Sequence, residues 1–494
     1  MMRFSALLLS TILQLVITVV TCFHSLAVAQ SAEGYAIVTS SAIRAQSTML
    51  NAFVAHKQSR GFNTYVFDEN DWSAGGLTGD AAAEALRTFL QQANNQYNLR
   101  YLLIIGDPRV DTGPVPMKRT YPRTTGAVGQ TPSFGTTTCN FSQSQVPSDF
   151  YYAELGGDWD LDNDGLYGEF GQASAVGTTT GDFGVGGVEL DYDLSVGRIP
   201  TYGSSNNPSL LADGIIKLDH ILTKIINYQT VSATSIDWRF SALIATEGAN
   251  RLFYGEALTN DVFSPQGITA VDRIYDSASC TLAGNCNPLL STAPTYDQCT
   301  IPNVQTTLQS QTPGLVTWLT HGGGTGAAAV MNTSTAATLD DTKPFITFQA
   351  SCLNSQVTNT NNLSYSLLVN GAIATVGATA ISHGPGSPVD LTSAAHRSGI
   401  AGMGYEFNQR VTSGDSVGDA LMGLKQDADL YGRCWYWQNQ VGFNLFGDPE
   451  VRLFDSGSVS VPMMPPAFMF VAGVMLLLVS SIVTGGKRSL KPTV

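Results

Sequence analysis

Two apolar runs in this sequence each end on a reactive side chain. Leu315-Val316-Thr317-Trp318-Leu319-Thr320 leads into His321 and then Gly322-Gly323-Gly324. Phe345-Ile346-Thr347-Phe348-Gln349-Ala350-Ser351 leads into Cys352. A thiol becomes a competent nucleophile when a neighbouring imidazole favours the thiolate, and that imidazole can later protonate a leaving amine. The glycines after His321 let backbone N–H groups approach a carbonyl oxygen, so the amides of Gly322 and Cys352 are the candidate oxyanion hole. On residue types alone other roles stay open. A histidine at a strand tip also serves structure, and a lone cysteine is commonly buried and inert.

A second group of chemically suggestive residues is acidic. Asp158, Asp160, Asp162 and Asp164 alternate before Gly165, with Glu169 a few positions on. Hard oxygen ligands at this spacing suit calcium in a structural role, pinning a long loop. The segment is not a full EF-hand, because position twelve counted from Asp160 is Gly171. A solvated acidic loop is the alternative.

The elements that must position these residues alternate. Tyr35–Thr39, Asn63–Phe67 and Tyr101–Ile105 have strand character, with helical stretches at Ile43–Lys57 and Asp80–Asn95 between them. Gly-, Thr-, Ser- and Asp-rich loops fill 108–187, and Leu210–Tyr228 has a strong helical period. Apolar strands then recur at Phe240–Ala245, Thr269–Ile274, Gly314–Thr320, Phe345–Ala350 and Ala372–Ile381, with a late helix over Ser416–Leu430. Such alternation predicts α/β architecture with mostly parallel sheet, helices on both faces, and two stacked subdomains over 30–230 and 231–457. Sites in open sheets form at the carboxyl ends of strands, where His321 and Cys352 fall.

The 494 residues are 43% hydrophobic and 13% charged, enough apolar material for a large core. The formal net charge of −14 is spread along the chain, and no basic stripe exists to neutralise phosphates, which excludes nucleic acid as a partner. Both ends carry targeting features. Residues 1–29 read as a secretory signal, with Arg3, an apolar run from Ala6 to Val20, and Ala27-Val28-Ala29 as a small-x-small cleavage pattern. Within 458–494 a run from Ala467 to Val483 precedes Lys487, Arg488 and Lys491. That pattern suits a single membrane helix with its basic flank inside, or a processed sorting signal. An exported protein held at the cell envelope is the expectation. Outside the cytoplasm cysteine pairing is expected, and Cys280 with Cys286 is the nearest pair.

The order strand-His-Gly, then strand-Ala-Ser-Cys, resembles the signature of caspase-like peptidases. The flanking blocks are similar to those of gingipain-like cysteine peptidases in particular. They are Ser148-Asp149-Phe150-Tyr151-Tyr152-Ala153, Asp158-Trp159-Asp160, Val196-Gly197-Arg198-Ile199-Pro200, Gly371-Ala372-Ile373-Ala374 and Leu445-Phe446-Gly447-Asp448-Pro449. They follow the family's order and span roughly Tyr35 to Phe454. The resemblance implies a caspase-like α/β/α sandwich, a cysteine endopeptidase acting on peptide or protein substrates, and a dyad of Cys352 and His321. It also implies that Glu247 orients the histidine. Where arginine-specific members carry an aspartate for the substrate's basic side chain, this chain has Leu252 beside Arg251, so arginine preference is not expected; Glu256 and Asp261 are the remaining acidic candidates.

Two other readings fit parts of the sequence. His321-Gly322-Gly323-Gly324 with Gly414-Asp415-Ser416-Val417-Gly418 is similar to serine-esterase motifs, but that fold needs a histidine after the serine and the last one is His396. A surface adhesion or structural protein that keeps the fold without turnover is the other, against which the retained Cys–His pair argues. His383 and His396 follow the strand after Cys352, as cleft or surface residues.

Overall fold

The computed structural model describes residues 32–72, 76–122, 145–170, 181–276, 290, 292–384, 388–428 and 434–455, and the backbone of 133–134 and 137–138. The expected signal sequence, the Cys280/Cys286 pair and the C-terminal apolar run lie outside the described residues. Among the described residues no helix is long and apolar enough to cross a membrane.

Ten strands form one sheet: β1 (Gly34–Val38), β2 (Asn63–Phe67), β3 (Leu99–Gly106), β4 (Ser195–Pro200), β5 (Ser241–Thr246), β6 (Ala270–Tyr275), β7 (Leu315–Leu319), β8 (Phe345–Ala350), β9 (Ala372–Ala378) and β10 (Phe443–Gly447). Their spatial order is β6-β5-β7-β8-β9-β10-β4-β3-β1-β2. The two alternating halves foreseen in the sequence therefore lie edge to edge in this sheet. Every residue of β1, β4 and β7 to β10 is buried, the continuous apolar pattern of strands covered on both faces. All neighbours pair in parallel except β9 and β10. Because β10 is antiparallel to β9 and parallel to β4, the two five-strand halves run in opposite directions.

The covering helices are α1 (Ser41–Gln46), α2 (Leu50–Ser59), α3 (Gly79–Tyr97), α4 (Pro208–Thr230), α5 (Leu252–Ala257), α6 (Ile301–Gln311), α7 (Leu363–Val369), α8 (Ile400–Thr412), α9 (Val417–Gln426) and α10 (Cys434–Gly442). The single helix expected over Ile43–Lys57 is broken in two. Asp219 of α4 accepts from the Ser47 hydroxyl and from the Thr48 amide and hydroxyl, and Ser47 Oγ accepts from the Leu50 amide. These short polar side chains turn to Asp219 and to the Leu50 amide, and the helix breaks between them.

The chain leaving β10 is fixed to the N-terminal helix α2 by buried charge. Lys57 of α2, with no exposed side chain, pairs with Asp448 and with Glu450 at 2.7 Å. Arg60 reaches both Glu450 and Asp455. The two cations hold the Glu450 carboxyl down at about 2 against the opposing effect of burial.

Candidate active site

Three adjacent parallel strands bring the chemistry together. Leu319 of β7 is in register with Thr246 of β5 on one side and Ala350 of β8 on the other. Glu247 follows Thr246 directly, while His321 and Cys352 lie two residues beyond Leu319 and Ala350. All three residues thus leave the sheet at the same edge.

The loops bearing His321 and Cys352 touch through backbone. A β-carbon placed on Gly322 would stand 2.3 Å from the Cys352 carbonyl oxygen and 2.8 Å from its amide nitrogen. Only glycine allows that approach. A polar network holds the two loops in place. Asn354, fully buried, donates to the carbonyls of Gly323 at 2.9 Å and Gly326 at 3.1 Å. Its own oxygen accepts from the Ser351 hydroxyl, which accepts from the Trp318 indole at 3.1 Å. Between Cys352 and Asn354 the chain turns through Leu353 at φ 64°, a left-handed conformation that costs a branched residue about 1 kcal/mol or more. The Leu353 amide donates to Ala380 at 3.0 Å, continuing the β8–β9 pairing past the nucleophile.

Cys352 is half-buried and is a free thiol. Its Sγ lies 3.5 Å from the Ser382 amide, 3.6 Å from the Ser382 carbonyl oxygen and 3.7 Å from the Ser382 hydroxyl. Cys299 is also free, but it is buried, and burial pushes its thiol up to about 12, so it is protonated and inert at neutral pH.

Glu247 does not meet the imidazole directly. Arg251 stands between them, bonding the Glu247 carboxylate at 2.5 Å and its carbonyl oxygen at 2.6 Å through Nη1. Nη2 of the same guanidinium donates to Nε2 of His321 at 2.7 Å. A guanidinium only donates, so the ring accepts at Nε2 and carries its proton on Nδ1. The sequence contained both partners, but nothing in it signalled that the arginine would intervene. The loop itself is pinned by Asp276, which accepts from the Gly248 amide and the Cys299 amide, each at 2.8 Å.

Leu252 is fully buried and contributes to the core, not to a binding surface. Glu256 is buried and paired with Arg273 at 2.6 Å, while Asp261 is exposed. His383 is half-buried against Trp435, with ring centroids 5.8 Å apart and edge to face. His396 sits in a short helical turn, Ala394–His396. Ser416, the esterase-like serine, is buried and caps α9, accepting from Asp419 at 3.1 Å.

The acidic loop gathers three of its five carboxylates. Asp160, Asp162 and Asp164 present oxygens within 4.8 Å of one another. One oxygen of Asp162 is buried without a hydrogen-bond partner, and burial, then the charges of Asp164 and Asp160, raises its carboxyl. Asp158 lies alongside, accepting from the Asp160 amide at 3.0 Å. Glu169 is buried, its amide donating to Asp182 at 3.0 Å. Asp182 also accepts from Leu161 and Gly168, a role with no signature in the spacing of the acidic residues.

Comparison with known proteins gives a consistent answer. The profile of peptidase family C25 matches residues 29–454. No curated protein matches the chain. Among solved structures, the crystal structure of the Arg-specific cysteine proteinase gingipain R (RGPB) is similar at 14% identity, with a TM-score of 0.54 over 85% of this chain and 78% of that one. The complex of the Porphyromonas gingivalis RgpB pro- and mature domains is similar at 14% identity and a TM-score of 0.53, over 85% and 79%. At this identity the structural likeness speaks for the fold.

Proposed function

Because this chain belongs to peptidase family C25 and is a cysteine-type peptidase, we propose that Cys352 is its nucleophile and His321 its acid–base partner. The observation that carries this reading is the backbone contact of Gly322 with Cys352 at the shared edge of β5, β7 and β8. Before catalysis the imidazole must exchange its bond to Arg251 for one to the Glu247 carboxylate. The ring proton moves from Nδ1 to Nε2 through solvent, Nε2 donates a hydrogen bond to Glu247, and Nδ1 is free to take the thiol proton. The thiolate attacks the scissile carbonyl carbon, and the oxyanion is held by the amides of Gly322 and Cys352. The imidazolium protonates the leaving amine as the C–N bond breaks, leaving a thioester on Sγ. Water gives a proton to the same ring as its oxygen attacks the thioester; the C–S bond breaks, the ring returns that proton to sulfur, and the carboxylic acid product ionises to solvent.

Labelling with iodoacetamide, combined with cleavage of a peptide library, tests the assignment. Modification confined to Cys352 in the wild type, and loss of turnover in both Cys352→Ala and His321→Ala, is the expected result. Turnover that survives in folded Cys352→Ala would overturn it.

Asp160, Asp162 and Asp164, flanked by Asp158 and Glu169, would hold a structural calcium ion. The unpartnered oxygen of Asp162 and the mutual repulsion of the three carboxylates fit a divalent cation. Export and envelope attachment rest on the sequence pattern of residues 1–29 and 458–494. Fractionation of cells expressing the chain with and without 458–494 checks that placement; envelope retention of the truncated form would refute the anchor.

A further inference from the structure

Resting on the assignment of Cys352 as nucleophile, the geometry points to a preference for a large apolar or aromatic side chain on the acyl side of the scissile bond. In the thioester the acyl carbon is bonded to Sγ, so the side chain of that residue lies within a few ångströms of the sulfur. The amide, carbonyl and hydroxyl of Ser382 occupy one flank of Sγ at 3.5, 3.6 and 3.7 Å. A substrate side chain laid against this flank meets the Ile381–His383 wall.

That wall is apolar and open. Ile381 is 56% exposed and Trp435, packed on the His383 ring, is 37% exposed. Six large apolar side chains are this exposed among the described residues, and two of them belong to this wall, Ile381 next to Ser382 in the chain and Trp435 against His383. Isolated exposed apolar side chains need no explanation, but two on the segment whose Ser382 touches a reactive thiol do.

The wall cannot collapse on itself, because α10 pins its backbone from behind. Gln438 donates to the Ile381 carbonyl at 2.6 Å. Asn439 accepts from the His383 amide at 2.8 Å and donates to its carbonyl at 2.7 Å. With the peptide groups fixed, the exposed faces form a preorganised apolar surface.

Of the residues once expected to meet a basic side chain, all but the exposed Asp261 argue in the same direction. Glu247 is neutralised by Arg251, Glu256 is buried against Arg273, and Leu252 is in the core. A basic substrate side chain laid along this wall would lose water without finding a free carboxylate among these residues, whereas a phenyl or isobutyl group gains from leaving water.

The experiment compares kcat/KM for peptides that differ only at the acyl-side residue, using the full chain. Phe and Leu are expected to exceed Arg and Lys by about tenfold or more, the discrimination an apolar pocket delivers. Trp435→Ala and Ile381→Asp should each erase most of that ratio, and Ile381→Asp should move the preference toward Arg and Lys. Alkylation at Cys352 with the buried thiol of Cys299 left unmodified certifies that each variant is folded. A wild type that prefers Arg, Lys or acidic residues, or variants that leave the ratio unchanged, overturns the preference. If no peptide is cleaved and Cys352 does not react, the nucleophile assignment falls, and the preference falls with it.

Discussion

Gly322 and Cys352 share a contact in which a single added methyl group would stand 2.3 Å from the cysteine carbonyl oxygen. Gly322→Ala must push the two catalytic loops apart by an ångström or more. Misplacement on that scale costs roughly 10²-fold in rate, with about 1–3 kcal/mol of overpacking. Measured kcat/KM alongside the melting temperature should show the first loss greatly exceeding the second.

Asn354 links the loops from below, and its removal strands two carbonyls. Asn354→Ala should lower kcat by about tenfold or more with KM little changed, since substrate contacts survive while the spacing of His321 from Cys352 loosens. The unsatisfied groups add a stability cost of about 1–3 kcal/mol. A KM effect without a kcat effect would remove Asn354 from the positioning of the site.

Arg251 holds His321 through Nε2, an arrangement that withholds the ring from base duty. Arg251→Met frees both the imidazole and Glu247, so Cys352 should alkylate several-fold faster with iodoacetamide at neutral pH. A slower reaction would make Arg251 part of the working machinery rather than a restraint on it.

Lys425 is fully buried, donating to the Phe443 carbonyl at 2.9 Å over the Phe150 ring. Burial lowers its ammonium from 10.5 to about 7, partly opposed by Asp149. Between those values the unfolded chain binds more protons than the folded one, so stability rises with pH across that window, by at most about 1.4 kcal/mol per unit. Below pH 7 both states are protonated and the full cost of burying the charge remains. Urea titrations from pH 7 to 10 should show the rise in the wild type and its loss in Lys425→Met.

Calcium should raise the melting temperature and chelation should lower it. Saturation at about a hundredfold over the dissociation constant corresponds to about 2.7 kcal/mol. Asp162→Asn should abolish the calcium response; a wild type indifferent to both calcium and chelator would refute the site.

What the sequence revealed followed from how strongly each element announced itself. β7 and β8 are largely apolar, Gln349 standing only near the end of β8, so the tips bearing His321 and Cys352 were legible. β4 and β10 were visible only as motifs. Arg198 sits in the middle of β4, fully buried and paired with Asp149 at 2.6 Å, and Asn444 interrupts β10 with a buried amide that binds the Asp149 backbone at 2.8 Å. A charge or amide inside a strand hides the apolar pattern until its distant partner is known. Arg251 and Asn354 were hidden for the same reason, since their meaning lies in contacts made across the sheet edge. In the acidic loop, alternation picked out Asp160, Asp162 and Asp164, but alternation carries no information about Asp182, whose contribution is to backbone amides.

The reversal at β10 has a consequence for how this protein comes into being. The last strand of the described chain is the one that joins the two halves, entering between β9 and β4. A nascent chain stopped before Phe443 would hold nine strands in two separate groups, each with a raw edge open to mispairing. Closure waits for nearly all of the described residues, and the pairing with β4 spans hundreds of residues, which makes assembly slow. The thiol, one strand away from that seam on β8, would then gain its final surroundings only when the tail of the domain arrives. Activity in a translating or partly folded chain is thereby deferred by topology alone.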